Sequence, residues 1–390
     1  MKKILINPFL MFGFTFLFVI FSFNLELSGL YKGVSSLSIN LLFSIFIITS
    51  LIIGVIVNYS ALNRCRFNYS LDFLKPHKTL SIAILMIGFV AECYNNGGVP
   101  LVMVLKGMPY DYTQFGIKTF HVFYMSYLSA STIVNYERFL KTKRKYFLIP
   151  AALGIMVTVL IMNRGATLLL VFPMFLMTLF EIKGRLKIRT LVLFFTVGIT
   201  FIIMFGVLGD KRMLASGYQD ENIIMKIGEA SSIFEKLPSG FFWTYLYSTS
   251  PYANLLLQLK EGNVNQGYLD DYVAGVMLPD FVSKYTNPEV TSKYELFKIT
   301  PELNVATGFS MALILSGIAG VIFLYLWLLF FNSIFIFINN NYYLLSVCAN
   351  LSAINIFMCF NNMLIFSSCV LQLLLITIFA RVKLGRYLVL

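Results

Sequence analysis

The stretch FLIPAALGIMVTVLIMNRGATLLLVFPMFLMTLF (147–180) is apolar apart from a short polar break, and Arg164 is its one charged residue. As a single helix it would extend about 51 Å at 1.5 Å per residue, well beyond the ~30 Å hydrocarbon core of a bilayer. The pattern therefore predicts two membrane-spanning helices joined by a turn at Asn163-Arg164-Gly165, in which Gly165 provides the conformational freedom of a tight turn. Arg164 would lie at the end of this hairpin, where a cation costs less than at the membrane centre.

The whole chain shares the apolar character of this stretch. Of its 390 residues, 58% are hydrophobic and 12% are charged, and the mean hydropathy is +0.79. A chain that crosses lipid must hydrogen-bond its own amides, and runs of about 20 apolar residues do so as helices. The composition therefore predicts an all-α, polytopic helical membrane protein.

Ten apolar runs divide the chain into three parts. We expect seven spans within 1–209, a large external loop at 210–307 and three spans within 308–390. The N-terminal run is too long for the apolar part of a signal peptide and is interpreted as a retained first span. The predicted spans are 4–23, 39–60, 79–94, 120–136, 147–163, 166–181, 190–209, 308–337, 344–361 and 363–380.

Two segments depart from this simple pattern. The run 308–337 is longer than one straight span, so either it tilts strongly or its start, GFSMALILSGIAG (308–320), is a partly re-entrant element with glycine-mediated packing. Inside the long loop, apolar residues at helical spacing and the aromatic cluster SGFFWTYLYSTSPY (239–252) predict short helices on or near the outer membrane surface.

The net charge of +12 is explained by topology and not by a nucleic-acid partner. Lys and Arg gather at both termini and after the second, fourth and sixth spans, and cytoplasmic loops of bacterial membrane proteins collect such residues. We therefore expect a multi-pass bacterial inner-membrane protein with both termini cytoplasmic and with 24–38, 95–119, 210–307 and the Arg164 turn outside. The basic residues after these three spans are Arg64, Arg66, Lys75 and Lys78, then Arg138, Lys141, Lys143, Arg144 and Lys145, then Lys183, Arg185, Lys187 and Arg189.

Several kinds of chemistry have no motif in this chain. The sequence has no phosphate-binding glycine loop, no nucleophile elbow and no zinc-peptidase motif, and its two histidines argue against a zinc site. Its five cysteines are scattered without CxxC spacing and are interpreted as apolar packing residues. We therefore expect no metal and no cofactor.

Cations near the predicted outer ends of the spans are the first functional candidates. Arg164 is either an interfacial residue whose side chain reaches water or an anion-binding residue that faces an outer cavity. Lys211 and Arg212 follow the seventh span and form either a second cationic site or a charge pair with Asp210. Two such sites on one rim would suit a diphosphate, for which the arginine fork is well shaped.

Glu92 and His121 are the candidates for acid–base chemistry. A carboxylate inside the outer end of a span is expected to face the bundle and pair with a cation, and Arg164 and Arg212 are the candidate partners of Glu92. His121 opens the fourth span on the same side, where it is either a general base or a hydrogen-bonded structural residue.

Three loop residues are weaker candidates for sugar binding. Asp270 and Asp271 are carboxylates that bind sugar hydroxyls in one reading and belong to a solvated loop face in the other. Trp243 either stacks on a sugar ring or belongs to an aromatic belt at the membrane interface.

Segments of this chain resemble one family of membrane enzymes. AECYNNGGVPLVMVLKGMPYDYTQFGIKTFH (91–121) resembles the E…GG(I/V)P…FGI…H arrangement of Wzy-type O-antigen and repeat-unit polysaccharide polymerases. NRGATLLL (163–170) and LNVATGF (303–309) are similar to segments of the same family. The likeness covers most of the chain as topology but only these segments as motif.

The resemblance implies a bundle of the membrane glycosyltransferase C type that works at its external face. Such an enzyme transfers a growing glycan from undecaprenyl diphosphate onto a second lipid-linked repeat unit, without nucleotide sugar or metal. It implies that Arg164, Arg212 and Lys211 bind the diphosphate and that His121, or else Glu92, is the base. The implied partners are undecaprenyl-diphosphate-linked oligosaccharide and membrane lipid, with room for a chain-length regulator.

Two other functions remain open at this stage. An O-antigen ligase shares the long external loop and the arginines but transfers finished glycan onto the lipid A core. A lipid-linked oligosaccharide flippase or transporter is the second alternative, although such proteins usually distribute charges through the bundle core. A capsule polymerase would have the same sequence features as an O-antigen polymerase.

Overall fold

The computed structural model describes residues 2–62, 75–76, 78–108, 110, 114–182, 188–215, 217–220, 223–339, 343–379, 383–384 and 387–388. The regular secondary structure over these residues is helical apart from three two-residue strands. They are β1 (Lys75–Pro76), β2 (Lys383–Leu384) and β3 (Tyr387–Leu388), and β3 pairs parallel with β1 and antiparallel with β2. Cys65, Arg64, Arg66, Lys183, Arg185 and Lys187 lie outside the described residues.

Each of the ten predicted spans coincides with one helix. These ten helices are α1 (Pro8–Phe23), α2 (Leu37–Val57), α3 (Lys78–Asn95), α5 (Phe120–Thr142), α6 (Leu148–Leu160), α7 (Arg164–Glu181), α8 (Ile188–Ala215), α14 (Ser310–Ile338), α15 (Leu344–Phe357) and α16 (Ser367–Phe379). The remaining α-helices are α4 (Pro100–Leu105), α9 (Ile223–Ile227), α10 (Ser239–Lys260), α11 (Leu269–Tyr272), α12 (Asp280–Thr286) and α13 (Val290–Lys293).

Three helices of the described chain, α2, α7 and α14, are long and apolar enough to cross a membrane. Large apolar side chains on the outside of the bundle point to the same environment, because a water-soluble surface rarely carries a continuous apolar band. On α2 such residues recur at helical spacing, and they are Leu41, Ile45, Ile48, Ile52 and Ile56. Helix α8 presents Val192, Phe195, Phe201, Met204 and Leu208 in the same way. The structure therefore indicates a helical membrane protein.

The connections between helices fall into two groups. One group joins every segment that the charge pattern assigns to the outside, and we call it the long-loop end. Its contacts are Gly29 N to Glu229 O (2.9 Å), Tyr110 Oη to Ile161 O (2.7 Å), Thr119 Oγ1 to Tyr285 Oη (3.0 Å) and Gly308 N to Met358 O (2.8 Å).

The second group, the termini end, joins segments that the charge pattern assigns to the cytoplasm. Its contacts are Lys3 Nζ to Leu62 O (3.2 Å), Lys141 Nζ to Glu181 Oε1 (2.5 Å), Arg138 Nη2 to Tyr343 Oη (2.5 Å) and the pairing of β1 with β3. The described connections therefore fall into two groups that match the two sides assigned by the charge pattern.

Helix α5 runs through the middle of the bundle and is polar as well as buried. The prediction ended this span at residue 136 and put Arg138 in a loop, which is wrong, because α5 continues to Thr142 and Arg138 is buried. The Arg138 guanidinium lies over the ring of Tyr343 at 5.4 Å. Glu137, also buried, accepts hydrogen bonds from the backbone N–H and the hydroxyl of Ser346. Hydrogen bonding lets these charges lie between helices.

Helix α10 corrects a second prediction. Residues 239–260 form one helix and not short surface helices, and this helix packs between α1 and α8. Trp243 and Tyr252 on it are fully buried, and Tyr252 Oη donates to Asn40 Oδ1 at 2.6 Å. Part of the segment 210–307 therefore belongs to the core of the bundle.

Helix α14 is broken near its start. Gly317 adopts φ +59° and ψ −151°, which interrupts the helical hydrogen bonds after Leu315. The backbone N–H groups of Gln266 and Gly267 donate to the freed carbonyls of Ile314 and Leu315 at 2.8 and 3.1 Å. The start of α14 is therefore a separate element that ends at a glycine, which agrees with the second of the two predicted alternatives. The two backbone N–H groups satisfy the carbonyls that the break leaves without helical partners.

Replacing Gly317 with alanine is expected to lower the free energy of unfolding by about 1–3 kcal/mol, because this backbone conformation is open almost only to glycine. The added Cβ would also lie 2.8 Å from Asn265 Oδ1. Thermal unfolding in detergent measures the effect. The matched control is Gly198→Ala in α8, where a Cβ meets no atom within 4 Å and helix propensity favours alanine. Equal melting temperatures for the two variants would contradict the prediction.

Candidate functional site

Glu92 and His121 form a hydrogen-bonded pair at the long-loop end. Glu92 lies in the last turn of α3, and His121 lies in the first turn of α5. Both carboxylate oxygens of Glu92 lie 2.9 Å from His121 Nδ1. Glu92 is fully buried, whereas the His121 side chain is 25% exposed. The predicted partners of Glu92, Arg164 and Arg212, were wrong, since its partner is His121.

The chain just before α5 fixes the ring of His121. The backbone N–H of His121 donates to Ile117 O at 2.9 Å, and Phe115 meets the imidazole edge-on with the ring centres 5.8 Å apart. Gly116 has φ +97°, and a Cβ on it would lie 2.6 Å from His121 Nδ1. The Phe-Gly-Ile sequence therefore has a physical role, because no side chain fits between this backbone and the imidazole.

The geometry of the pair selects one chemical role for each member. An ionised carboxylate only accepts hydrogen bonds. When the imidazole is neutral, its proton is therefore on Nδ1, and Nδ1–H donates to Glu92. In that tautomer Nε2 carries the lone pair, which can take a proton from a hydroxyl group. A buried acceptor behind a partly exposed imidazole is the arrangement of a general base with an orienting carboxylate.

Arg164 lies at the predicted hairpin between α6 and α7, but the turn is built differently from the prediction. Met162, with φ +62°, provides the left-handed residue, and the N–H of Asn163 closes the turn on Thr158 O at 3.1 Å. Asn163 then caps α7 by accepting from Ala166 N at 3.0 Å. The prediction that Gly165 makes the turn was therefore wrong, since Gly165 is part of the first turn of α7.

The Arg164 side chain is exposed and makes no hydrogen bond or ion pair with any described residue. It lies at the first position of α7, where the helix dipole disfavours a cation. Aromatic contacts connect its turn to the Glu92–His121 pair. Tyr110 donates to Ile161 O at 2.7 Å, and its ring meets Phe115, which in turn touches His121. A cation therefore lies at the same end of the bundle as the pair.

Arg212 and Lys211 lie on α8 in a different environment. The Arg212 guanidinium stacks 5.7 Å from the Trp243 ring centre and donates to Tyr247 Oη at 3.2 Å. Asp210 accepts from Trp243 Nε1 at 2.7 Å and from the hydroxyl of Ser239. Lys211 is exposed beside them. Helix α8 packs on α10, whereas α3 and α5 pack on each other and on α6, so the structure does not bring this cluster to His121.

Two of the three sugar-binding candidates have structural roles. Trp243 is fully buried, so its ring cannot stack on a sugar, and that prediction was wrong. Asp271 is buried and accepts from Lys293 Nζ and Asn287 Nδ2 at 2.8 Å and from Tyr294 Oη at 2.5 Å. The hydrogen bonds from Lys293 and Tyr294 hold the pKa of the Asp271 carboxyl well below its usual range. Asp270 is exposed.

The lowered pKa of Asp271 predicts a specific loss of stability in acid. Because the folded-state pKa lies below the unfolded value of about 3.9, the contribution of Asp271 is complete above that value and disappears as the pH falls toward the folded pKa. We expect Asp271→Asn to unfold at a lower temperature than the wild type at pH 7, and the difference to shrink below about pH 4. The control is Asp270→Asn, an exposed neighbour. A difference that is independent of pH would contradict the prediction.

The sequence alone did not indicate the supports of the pair. Gly116 and Tyr110 belong to the 91–121 segment, yet neither was singled out as a site residue. A glycine five residues before a candidate histidine is the signal that could have identified Gly116. Tyr110 acts through the Arg164 turn, which lies about fifty residues further along the chain, and no local pattern reports such a contact.

The fold and the site together define a helical membrane protein with a buried carboxylate bonded to a partly exposed imidazole at one end of its bundle. Comparison of the chain with protein-family models, curated proteins and solved structures finds no match.

Proposed function

We propose that this protein is a polysaccharide polymerase of the O-antigen type. It transfers a growing undecaprenyl-diphosphate-linked glycan onto the sugar of a second lipid-linked repeat unit at the external face of the bacterial inner membrane. The observation that carries this proposal is the Glu92–His121 pair, since both residues belong to the resembling motif and adopt the geometry of a base with its orienting carboxylate.

In the proposed reaction His121 Nε2 takes the proton from the attacking sugar hydroxyl. The hydroxyl oxygen forms a bond to the anomeric carbon of the growing glycan, and the bond from that carbon to the diphosphate oxygen breaks. The bonding electrons leave with undecaprenyl diphosphate. Glu92 stabilises the imidazolium until the proton on Nε2 passes to solvent. The neutral imidazole can then act as the base again.

Arg164 has the second role in this reaction. The leaving diphosphate needs charge neutralisation and no general acid, and a guanidinium binds two phosphate oxygens at once. Arg164 is exposed and has no partner among the residues that the structure describes, so this side chain is available for such a ligand. Arg212 is bonded within its own cluster on α8, so it ranks behind Arg164 in this role.

The proposed topology has ten spans of the glycosyltransferase C type, with both termini in the cytoplasm. The ten helices at the predicted positions and the separation of their connections into two ends support it. The long-loop end then faces outward and presents the Glu92–His121 pair and Arg164 to lipid-linked sugars. Lipid tails would lie against the apolar faces of the outer helices.

Deleting the gene and running the lipopolysaccharide on a gel tests the proposal. We expect the ladder of repeats to disappear while a band with a single repeat persists, because one unit is still flipped and ligated. Loss of every repeat, including the first, would contradict the proposal in favour of a ligase or a flippase. An unchanged ladder would contradict all three functions.

A further inference from the structure

A groove of about 780 Å³ opens at the long-loop end, away from the Glu92–His121 pair. Its walls come from the segment 29–34, the C-terminal end of α10 and the segment 295–301. The volume falls within the ~300–1,000 Å³ of typical ligand sites. No residue predicted from the sequence to bind substrate lines this groove.

The wall at 295–301 is held in place by buried amides. Gln258, fully buried on α10, donates to Phe297 O at 2.7 Å and accepts from Phe297 N at 3.1 Å. Asn254, one turn earlier and also fully buried, accepts from Ile299 N at 2.9 Å and donates to Leu303 O at 2.7 Å. Two side chains on one helix face therefore make the backbone hydrogen bonds that a neighbouring strand would otherwise make. They hold this wall in place before any ligand binds.

The groove is lined by charges of both signs that are not paired with each other. Its charged residues are Lys32, Lys260, Lys298, Glu229, Glu261 and Glu295. All six are exposed, and none of their side chains makes a hydrogen bond or ion pair to another described residue. The ring of Phe297 is 38% exposed at the same place. Donors, acceptors and an aromatic face are thus available together.

This combination suits a carbohydrate. An aromatic ring covers the apolar face of a sugar, and charged side chains bond its hydroxyls. The three carboxylates disfavour a diphosphate or nucleic acid, and the polarity disfavours a lipid tail. We propose that the groove binds the glycan portion of the substrate, several sugars away from the reacting bond. This inference rests on the proposed polymerase function and names a subsite for it.

One segment of the chain connects the groove with the pair. Tyr285 Oη lies 3.0 Å from Thr119 Oγ1, two residues before His121, and the same segment continues to the groove wall at 295–301. The groove and the base therefore lie at the same end of the bundle, and in this proposal a glycan bound in the groove keeps the growing chain attached between transfer steps.

Binding of polysaccharide to the purified full-length protein tests this subsite. The probe is O-polysaccharide released by mild acid from lipopolysaccharide of the same cells, and calorimetry gives its Kd. We expect Phe297→Ala to weaken binding by roughly tenfold, as the loss of a stacking ring implies. The matched control is Ile233→Ala, an exposed apolar residue of the 210–307 segment outside the groove, which should bind like the wild type.

A second readout separates this inference from the polymerase function. His121→Ala should bind the polysaccharide with wild-type affinity but make no ladder, whereas Phe297→Ala should still join repeats and give a ladder shifted to shorter chains. Wild-type affinity in Phe297→Ala, with an unchanged melting temperature, would overturn the proposal that the groove binds glycan. It would leave the proposed polymerase function intact. A wild-type protein that does not bind the probe would overturn the groove as well.

Discussion

Replacing Glu92 with glutamine is expected to abolish the lipopolysaccharide ladder although the side chain keeps its size. The amide still fills the site beside His121 Nδ1, but its NH2 group replaces a carboxylate oxygen 2.9 Å from that nitrogen and favours the wrong imidazole tautomer. It cannot offset the positive charge that the imidazole gains when it takes the proton. Neutralising the carboxylate behind a catalytic histidine lowers turnover by about 10⁴-fold in the best-studied case, and we expect a loss of roughly that order.

The matched control for this variant is Glu137→Gln. Both glutamates are fully buried and hydrogen-bonded, but Glu137 lies at the termini end and bonds Ser346. We expect a ladder in Glu137→Gln cells, with a lower melting temperature of the purified protein. A normal ladder in Glu92→Gln cells, with protein present in the membrane at its usual level, would remove the pair from the reaction.

Replacing Arg164 with alanine is expected to lower polymerisation by about 10²–10³-fold, the loss typical of removing one group that stabilises developing negative charge. Arg164→Lys should keep part of the activity, because an ammonium supplies the charge but not the two-pronged hydrogen bonding of the guanidinium. Since Arg164 has no partner among the described residues and lies where the helix dipole disfavours a cation, neither variant should lower the melting temperature. The ladder and the amount of protein in membranes are the measurements.

Lys236→Ala is the control for Arg164. Lys236 is an exposed cation of the 210–307 segment that lies away from the hairpin turn. A general effect of positive charge at the membrane surface would make the two alanine variants alike. Equal ladders from Arg164→Ala and Lys236→Ala would contradict the role of Arg164 in binding the diphosphate.

The helices were predictable because lipid imposes one strong requirement on the sequence. An apolar run of sufficient length can satisfy its backbone only as a helix, and each of the ten runs is a helix in the structure. The break in α14 was partly predictable, since the run was too long for one span and contained Gly317. The single buried helix α10 was not predicted, because its aromatic and hydroxyl residues resemble those of short helices at the membrane surface.

Contacts between distant residues were the least predictable part of the site. Glu92 and His121 were both singled out, but their pairing depends on how α3 and α5 pack, and the charge pattern favoured an arginine partner instead. Trp243 was assigned to sugars because residue type does not report burial. At the hairpin, Gly165 was expected to make the turn, yet the left-handed residue is Met162, and the Asn163 N–H closes the turn on Thr158 O.

The most direct test is a reaction with purified components. Full-length protein in detergent is given undecaprenyl-diphosphate-linked repeat units from the same cells, and glycan length and free undecaprenyl diphosphate are measured together. We expect products of two and more repeats, one undecaprenyl diphosphate released for each new bond, and no product from His121→Ala. Product formed by His121→Ala at the wild-type rate, or a wild-type protein that joins no repeats, would contradict the proposed function of the Glu92–His121 pair.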